Sequence, residues 1–212
     1  MKVVIIGSTG LTGNLLLDKL LANEKITKVI SISRQSTGKK SPKLEEVLIS
    51  NFNNLKKDCS LIDGEIFFCC LGTTIKKAKN KENFKKIDYE AVIDFALIAQ
   101  NNHARLFSVI SANGVKKDTS IFYYQVKYEM EEKLKSMNFA TLQIFHPALL
   151  YGDRKEFRAG ERFAEILLSP LKLFPSSLRK KLLTSSDDLA EAMLNRALYH
   201  SEENLVVAPS QI

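Results

Sequence analysis

The chain has 212 residues, 45% of them hydrophobic, which is enough to bury a sizeable core and is most economically a single domain over residues 1–212. Lys and Arg number 31 against 24 Asp and Glu, a net charge of +7, but the lysines lie in small groups, densest at Lys76-Lys77-Lys79-Lys81-Lys85-Lys86, without a recognisable nucleic-acid motif. No nucleic acid is therefore expected as a partner, no run of about eighteen apolar residues suggests a membrane, and the N-terminal apolar stretch stops at Gly7, so a cytoplasmic protein is expected.

Val3, Val4, Ile5 and Ile6 read as a central parallel strand that runs into Gly7-Ser8-Thr9-Gly10-Leu11-Thr12-Gly13, with a helix continuing through Asn14 to Leu21. Glycines three apart between a strand and a helix let a pyrophosphate reach the backbone, and Ser8, Thr9 and Thr12 add hydroxyls, so residues 7–13 are the expected phosphate cradle. The second strand, Lys28 to Ser33, ends at Arg34, twenty-one residues after Gly13. An arginine there suits a ribose 2′-phosphate, which favours NADP(H) over NAD(H); the alternative is a solvated surface arginine. A polar loop from Gln35 to Lys43 leads to a third strand, Leu44 to Ile49, and then to Phe52, which either touches the adenine or packs in the core.

After a short helix around Asn53 to Lys57, Glu65 to Leu71 forms the fourth strand and ends in Gly72-Thr73-Thr74, adding Leu71, Gly72 and Thr73 to the cofactor set. Cys69 and Cys70 point to opposite faces there and cannot chelate together; with Cys59 and three scattered histidines, no metal site is expected. Apolar spacing predicts a long helix from Asn83 to Gln100, and Leu106 to Ile110 is the fifth strand. This alternation predicts an α/β fold with a doubly wound parallel sheet.

Ser111 stands at the end of the fifth strand, and a helix follows from Ile121 to Leu134. Tyr123 and Lys127 are four apart and share a face, so the ammonium is expected to lower the phenol pKa and fit it for acid–base work on a substrate carbonyl, with Ser111 bonding the same carbonyl oxygen. Packing plus a surface lysine is the alternative for Tyr-x-x-x-Lys alone. A sixth strand, Thr141 to Phe145, leads to His146-Pro147, where Pro147 is expected to fix a turn reaching the nicotinamide and His146 reads as structural. Residues 152–185 read as a substrate-side insertion, amphipathic from Gly160 to Leu168 and basic from Pro170 to Lys181, expected to cover the site. Ser185 and Asp188 have capping spacing for a last helix, Asp187 to about His200, and Val206-Val207 suggests a final strand.

Gly7-x-x-Gly10-x-x-Gly13, Ser111, Tyr123-x-x-x-Lys127, the His146-Pro147 stretch and the Asp187-Asp-Leu-Ala-x-Ala-Met helix resemble the atypical and extended short-chain dehydrogenase/reductases. Cys70-Leu-Gly-Thr-Thr74 and Arg158-Ala-Gly-Glu161 are similar to the Tat-interacting-protein-like branch. The resemblance implies a Rossmann fold, bound NADP(H), a small carbonyl or alcohol substrate, Tyr123 as proton donor, Lys127 on the nicotinamide ribose and Ser111 orienting the carbonyl. Two positions depart from the pattern: Asp88 lies nearest the place of a relay asparagine, and His146 replaces the usual arginine. A cofactor-holding regulator and epimerase or dehydratase chemistry are the rival readings, and both monomer and homodimer remain open.

Overall fold

Val3, Val4, Ile5 and Ile6 are completely buried, the burial that a strand covered on both faces requires. The computed structural model describes residues 1–59, 62–152, 182–199 and 204–212. Among them, the strands are β1 (Lys2–Ile6), β2 (Lys28–Ser33), β3 (Leu44–Leu48), β4 (Ile66–Cys69), β5 (Leu106–Ile110), β6 (Leu142–Phe145), β7 (Leu149–Tyr151), β8 (Leu183–Ser185) and β9 (Leu205–Val207). Seven of them form one all-parallel sheet in the order β3-β2-β1-β4-β5-β6-β9. The order reverses direction between β1 and β4, so the loops leaving these two strands diverge and open a crevice at the carboxyl edge.

Side chains alternate between two cores. Val4, Ile6, Phe67, Cys69, Phe107 and Val109 face α2 (Leu55–Asp58), α5 (Ala91–Asn101) and α6 (Phe122–Lys135). Val3, Ile5, Ile66, Phe68 and Leu106 face α1 (Leu11–Ala22) and α7 (Ser186–Tyr199). Phe95 of α5 lies 5.4 Å from Phe67 and 5.8 Å from Phe107, ring centre to ring centre, and this aromatic cluster fixes α5 on the sheet. The doubly wound parallel sheet expected from the sequence is present.

Three local features differ from the sequence reading. The expected helix from Asn83 to Gln100 starts earlier, as α4 (Lys81–Lys85) following the short α3 (Ile75–Ala78), and passes through a π turn at Lys86–Glu90 before α5. That turn brings the Asp88 carboxylate into the interior, where its exposure is zero. The parallel pair β7–β8 is new; its strands are three residues each, with Leu149 60% exposed, too short and too exposed to carry a hydrophobic pattern.

The last helix begins at Ser186, and Ser185 Oγ accepts from the N–H groups of Asp187 and Asp188 at 3.2 and 3.4 Å, the cap expected from the spacing. The expected final strand is β9, parallel to β6. The segments Gly160 to Leu168 and Pro170 to Lys181, the Arg158–Glu161 stretch and His200 lie outside the described residues.

Candidate cofactor and active site

The turn after β1 is held by close packing. Gly7 has φ +82°, and a Cβ there would lie 2.6 Å from the Cys70 carbonyl; one on Gly13 would lie 2.9 Å from the carbonyl carbon of Gly7. These two glycines press α1 against β1 and β4. Gly10 differs, because its Cβ would meet only the Gly7 oxygen at 3.2 Å. No side chain caps α1 at Gly10, and its first backbone bond runs from Asn14 N–H to the Gly10 carbonyl. Its first-turn N–H groups are thus left for an anion.

Thr12 Oγ1, buried in that turn, has no hydrogen-bond partner, and Thr9 is exposed beside it. Ser8 departs from expectation: its hydroxyl points inward to Ser31 Oγ at 2.7 Å, so only its backbone faces a phosphate cradle. A nicotinamide dinucleotide fits this turn, with glycine where a side chain would obstruct, free helix N–H groups and an orphaned hydroxyl.

Arg34, at the end of β2, is exposed, with its guanidinium 5.0 Å from the Phe52 ring centre. Phe52 itself packs against the core, the second of its two expected readings, and its outer face carries the arginine. Leu71 is buried and Gly72 exposed at the end of β4, and the Thr73 N–H donates to Asp88 Oδ2 at 2.9 Å.

Asp88 is the hub that sequence reasoning found only as a stand-in for asparagine. Its other oxygen pairs with Lys127 Nζ at 2.8 Å, both side chains being almost fully buried. Burial works against the ammonium, yet the Asp88 carboxylate, reinforced by Tyr123, outweighs it and raises the Lys127 pKa. Tyr123 is half-buried against Phe84 and Tyr124, with ring centres at 5.6 and 5.2 Å. Its phenol corrects the expectation of a lowered pKa. Burial raises it, Lys127 pulls it down, and Asp88 and Tyr124 push it up again, leaving it above the ordinary tyrosine value.

An open pocket of about 350 Å³ lies at the carboxyl ends of β5 and β6, lined by Tyr123, Tyr124, Ala112, Asn113, Pro147 and Ala148, with Leu149 and Leu182 at its side. Pro147 is where the sequence placed it, and its carbonyl accepts from the Asn113 N–H at 2.9 Å. Ser111 does not line this pocket. It is 5% exposed, and its hydroxyl donates to Glu131 Oε1, the same oxygen that His146 Nε2 contacts at 2.8 Å. The expected donation from Ser111 to a carbonyl is therefore not available in this arrangement, since a hydroxyl has one hydrogen. The Glu131–His146 pair escaped the sequence reading because its members are fifteen positions apart on different elements; the one signal was that Glu131 follows Lys127 by one helical turn.

A glycine-rich turn at a topological switch point, facing the helix that carries Tyr123 and Lys127, defines a Rossmann-type fold. The fold agrees with solved structures: UDP-glucose 4-epimerase from Thermotoga maritima, with UDP-glucose, superposes with a TM-score of 0.72 at 16% identity over 98% of this chain and 76% of that one. A short chain dehydrogenase family protein from Francisella tularensis gives 0.68 at 13% identity over 99% and 98%.

No family model matches the chain. Among curated proteins, Protein HTATIP2 of Rattus norvegicus is 32% identical over 202 residues, covering 92% of this chain and 80% of the relative. Protein fmp52-1, mitochondrial, of Aspergillus terreus is 30% identical over 93% and 87%. The chain belongs to the family of HTATIP2 and fmp52, and it has the fold seen in short-chain dehydrogenase and nucleotide-sugar epimerase structures. The expected cytoplasmic location is overturned, because fungal relatives are named as mitochondrial proteins. That expectation rested on the lack of an apolar span or signal, which does not distinguish one internal compartment from another. Among the described residues no helix is long and apolar enough to cross a membrane.

Proposed function

We propose that the protein is an NADP(H)-dependent oxidoreductase that interconverts a small carbonyl compound and its alcohol. The observation that carries this reading is the Tyr123 phenol in the wall of the pocket, with Lys127 buried one turn below it and fixed by Asp88. Residues Gly7 to Gly13 hold the pyrophosphate, Leu71, Gly72, Thr73 and Pro147 flank the rest of the cofactor, and Arg34, exposed on Phe52, takes the 2′-phosphate bidentately. When bound, the cofactor supplies or accepts the hydride.

The chain's own residues handle the proton. Tyr123 gives its phenolic hydrogen to the carbonyl oxygen as the alcohol forms, and the Lys127 ammonium stabilises the phenolate left behind. Asp88 keeps Lys127 charged in a buried site. The test is a calorimetric titration with NADPH and NADH, with Arg34→Ala alongside, followed by turnover measurements on Tyr123→Phe. NADPH binding that exceeds NADH binding and weakens in the arginine variant, together with turnover lost in the phenylalanine variant at unchanged cofactor affinity, is expected. Binding of neither nucleotide removes the reading.

One observation favours a second reading, a cofactor-holding module without turnover: burial, Asp88 and Tyr124 together hold the Tyr123 phenol above its ordinary pKa. That reading requires tight NADPH binding with no activity across a broad carbonyl panel.

A further inference from the structure

The space between α6 and the ends of β5 and β6 is built in layers. Val109 and Ile144 form an apolar layer with Met130 and Leu134 of α6. The two strands stay paired past their ends, through the Ser111 N–H to Phe145 carbonyl bond at 2.8 Å and the Asn113 N–H to Pro147 carbonyl bond at 2.9 Å. Alternation therefore stacks Ser111 and His146 in a second layer, and Asn113 and Ala148 in a third. On α6, Glu131 serves the second layer, and Tyr123, two turns earlier on the same face, serves the third.

The second layer is closed. Ser111 donates to one oxygen of Glu131 and His146 Nε2 meets the same oxygen; Glu131 is only 3% exposed, and a carboxyl that deep needs such partners. A substrate oxygen gaining negative charge next to Glu131 would also be repelled. The third layer is open, and there Asn113 lines the pocket with Tyr123 and Tyr124. Among the described lining residues its amide is the one polar side chain besides the two phenols.

We propose that Asn113 holds the substrate oxygen opposite Tyr123, and that Ser111 is a positioning residue, clamped by Glu131 and His146 beneath it. A carbonyl oxygen has two lone pairs; one takes the Tyr123 hydroxyl and the other an Asn113 amide hydrogen. The inference rests on the pocket being the active site, and it assigns the carbonyl-orienting role to a residue two positions beyond the one expected from sequence.

The test measures NADPH-dependent reduction of 4-nitrobenzaldehyde, an uncharged carbonyl probe, together with Tm. Asn113→Ala is expected to lower kcat/KM by about 10²–10³-fold, the size of losing one oxyanion donor, with Tm unchanged. Asn113→Asp, which has lost the amide hydrogens, should not restore it. Ser111→Ala is expected to do the reverse, lowering Tm by several degrees and kcat/KM by less than about tenfold, with Ser111→Thr restoring Tm by returning the hydroxyl. A Ser111→Ala enzyme that loses turnover while Asn113→Ala retains it overturns the assignment.

A second readout is independent of turnover. The aldehyde is added to the NADP+ complex, where it cannot be reduced, and the Asn113 side-chain amide resonances, identified by their loss in Asn113→Ala, are followed. Their shift is expected. Aldehyde binding that leaves them unmoved, or no aldehyde binding by a protein that does bind NADP+, overturns the proposal. A protein that binds no nucleotide fails the cofactor reading first, and the nucleotide titration tells the two failures apart.

Discussion

Replacing Asp88 by Asn removes one charge from a buried ion pair and leaves Lys127 almost fully enclosed without a counterion. Breaking a buried pair in this way costs about 3–5 kcal/mol, because the stranded ion has lost its hydration and its partner together. In a domain of this size each kcal/mol moves Tm by roughly 2–4 °C, so Asp88→Asn should melt about 6–20 °C lower at pH 7. The Asp88→Asn/Lys127→Met double variant should recover much of that loss, since no charge is then left buried. Calorimetry of the four proteins completes the cycle. Because Asp88 pushes the Tyr123 phenol upward, Asp88→Asn should also lower its titration, read as phenolate absorbance against Tyr123→Phe. A Tm within about 2 °C of the wild type for Asp88→Asn would refute the reasoning, since only a hydrated or relaxed Lys127 tolerates that loss.

Gly10→Ala and Gly13→Ala should behave in opposite ways. A Cβ on Gly13 drives into the Gly7 backbone and should lower Tm by several degrees, the overpacking cost being about 1–3 kcal/mol, whereas Gly10→Ala should keep Tm and weaken NADPH in a calorimetric titration. Phe95→Ala, which opens a cavity between Phe67 and Phe107, should cost about 3–5 kcal/mol in urea unfolding. Burial raises the Cys59 thiol to about 11 and the Cys69 thiol to about 12, so iodoacetamide at pH 8 should leave both unmodified in the folded protein. Unfolded thiols ionise near their ordinary value of 9.0, so the folded state binds the extra protons: stability is full below pH 9 and should fall as pH rises toward 11 and 12. Melting curves across that range check the sign.

Much of the scaffold was legible because it is local. Val3 to Ile6 and Leu106 to Ile110 are apolar runs of strand length, and Gly7, Gly10 and Gly13 need no partner to be recognised as a turn into a helix. The spacing of Tyr123 and Lys127 likewise fixes a shared helical face before any tertiary contact is known. What the sequence alone determined was therefore the succession of the main-sheet strands, the glycine-rich turn and the tyrosine–lysine pair. Tertiary structure decided which charges those groups meet. Asp88 reaches Lys127 only because a π turn aims it inward, and Glu131 takes the hydrogen of Ser111 only because α6 lies across the ends of β5 and β6. Phenol acidity and hydrogen-bond supply depend on burial and on partners far apart in the chain, and no local pattern encodes either.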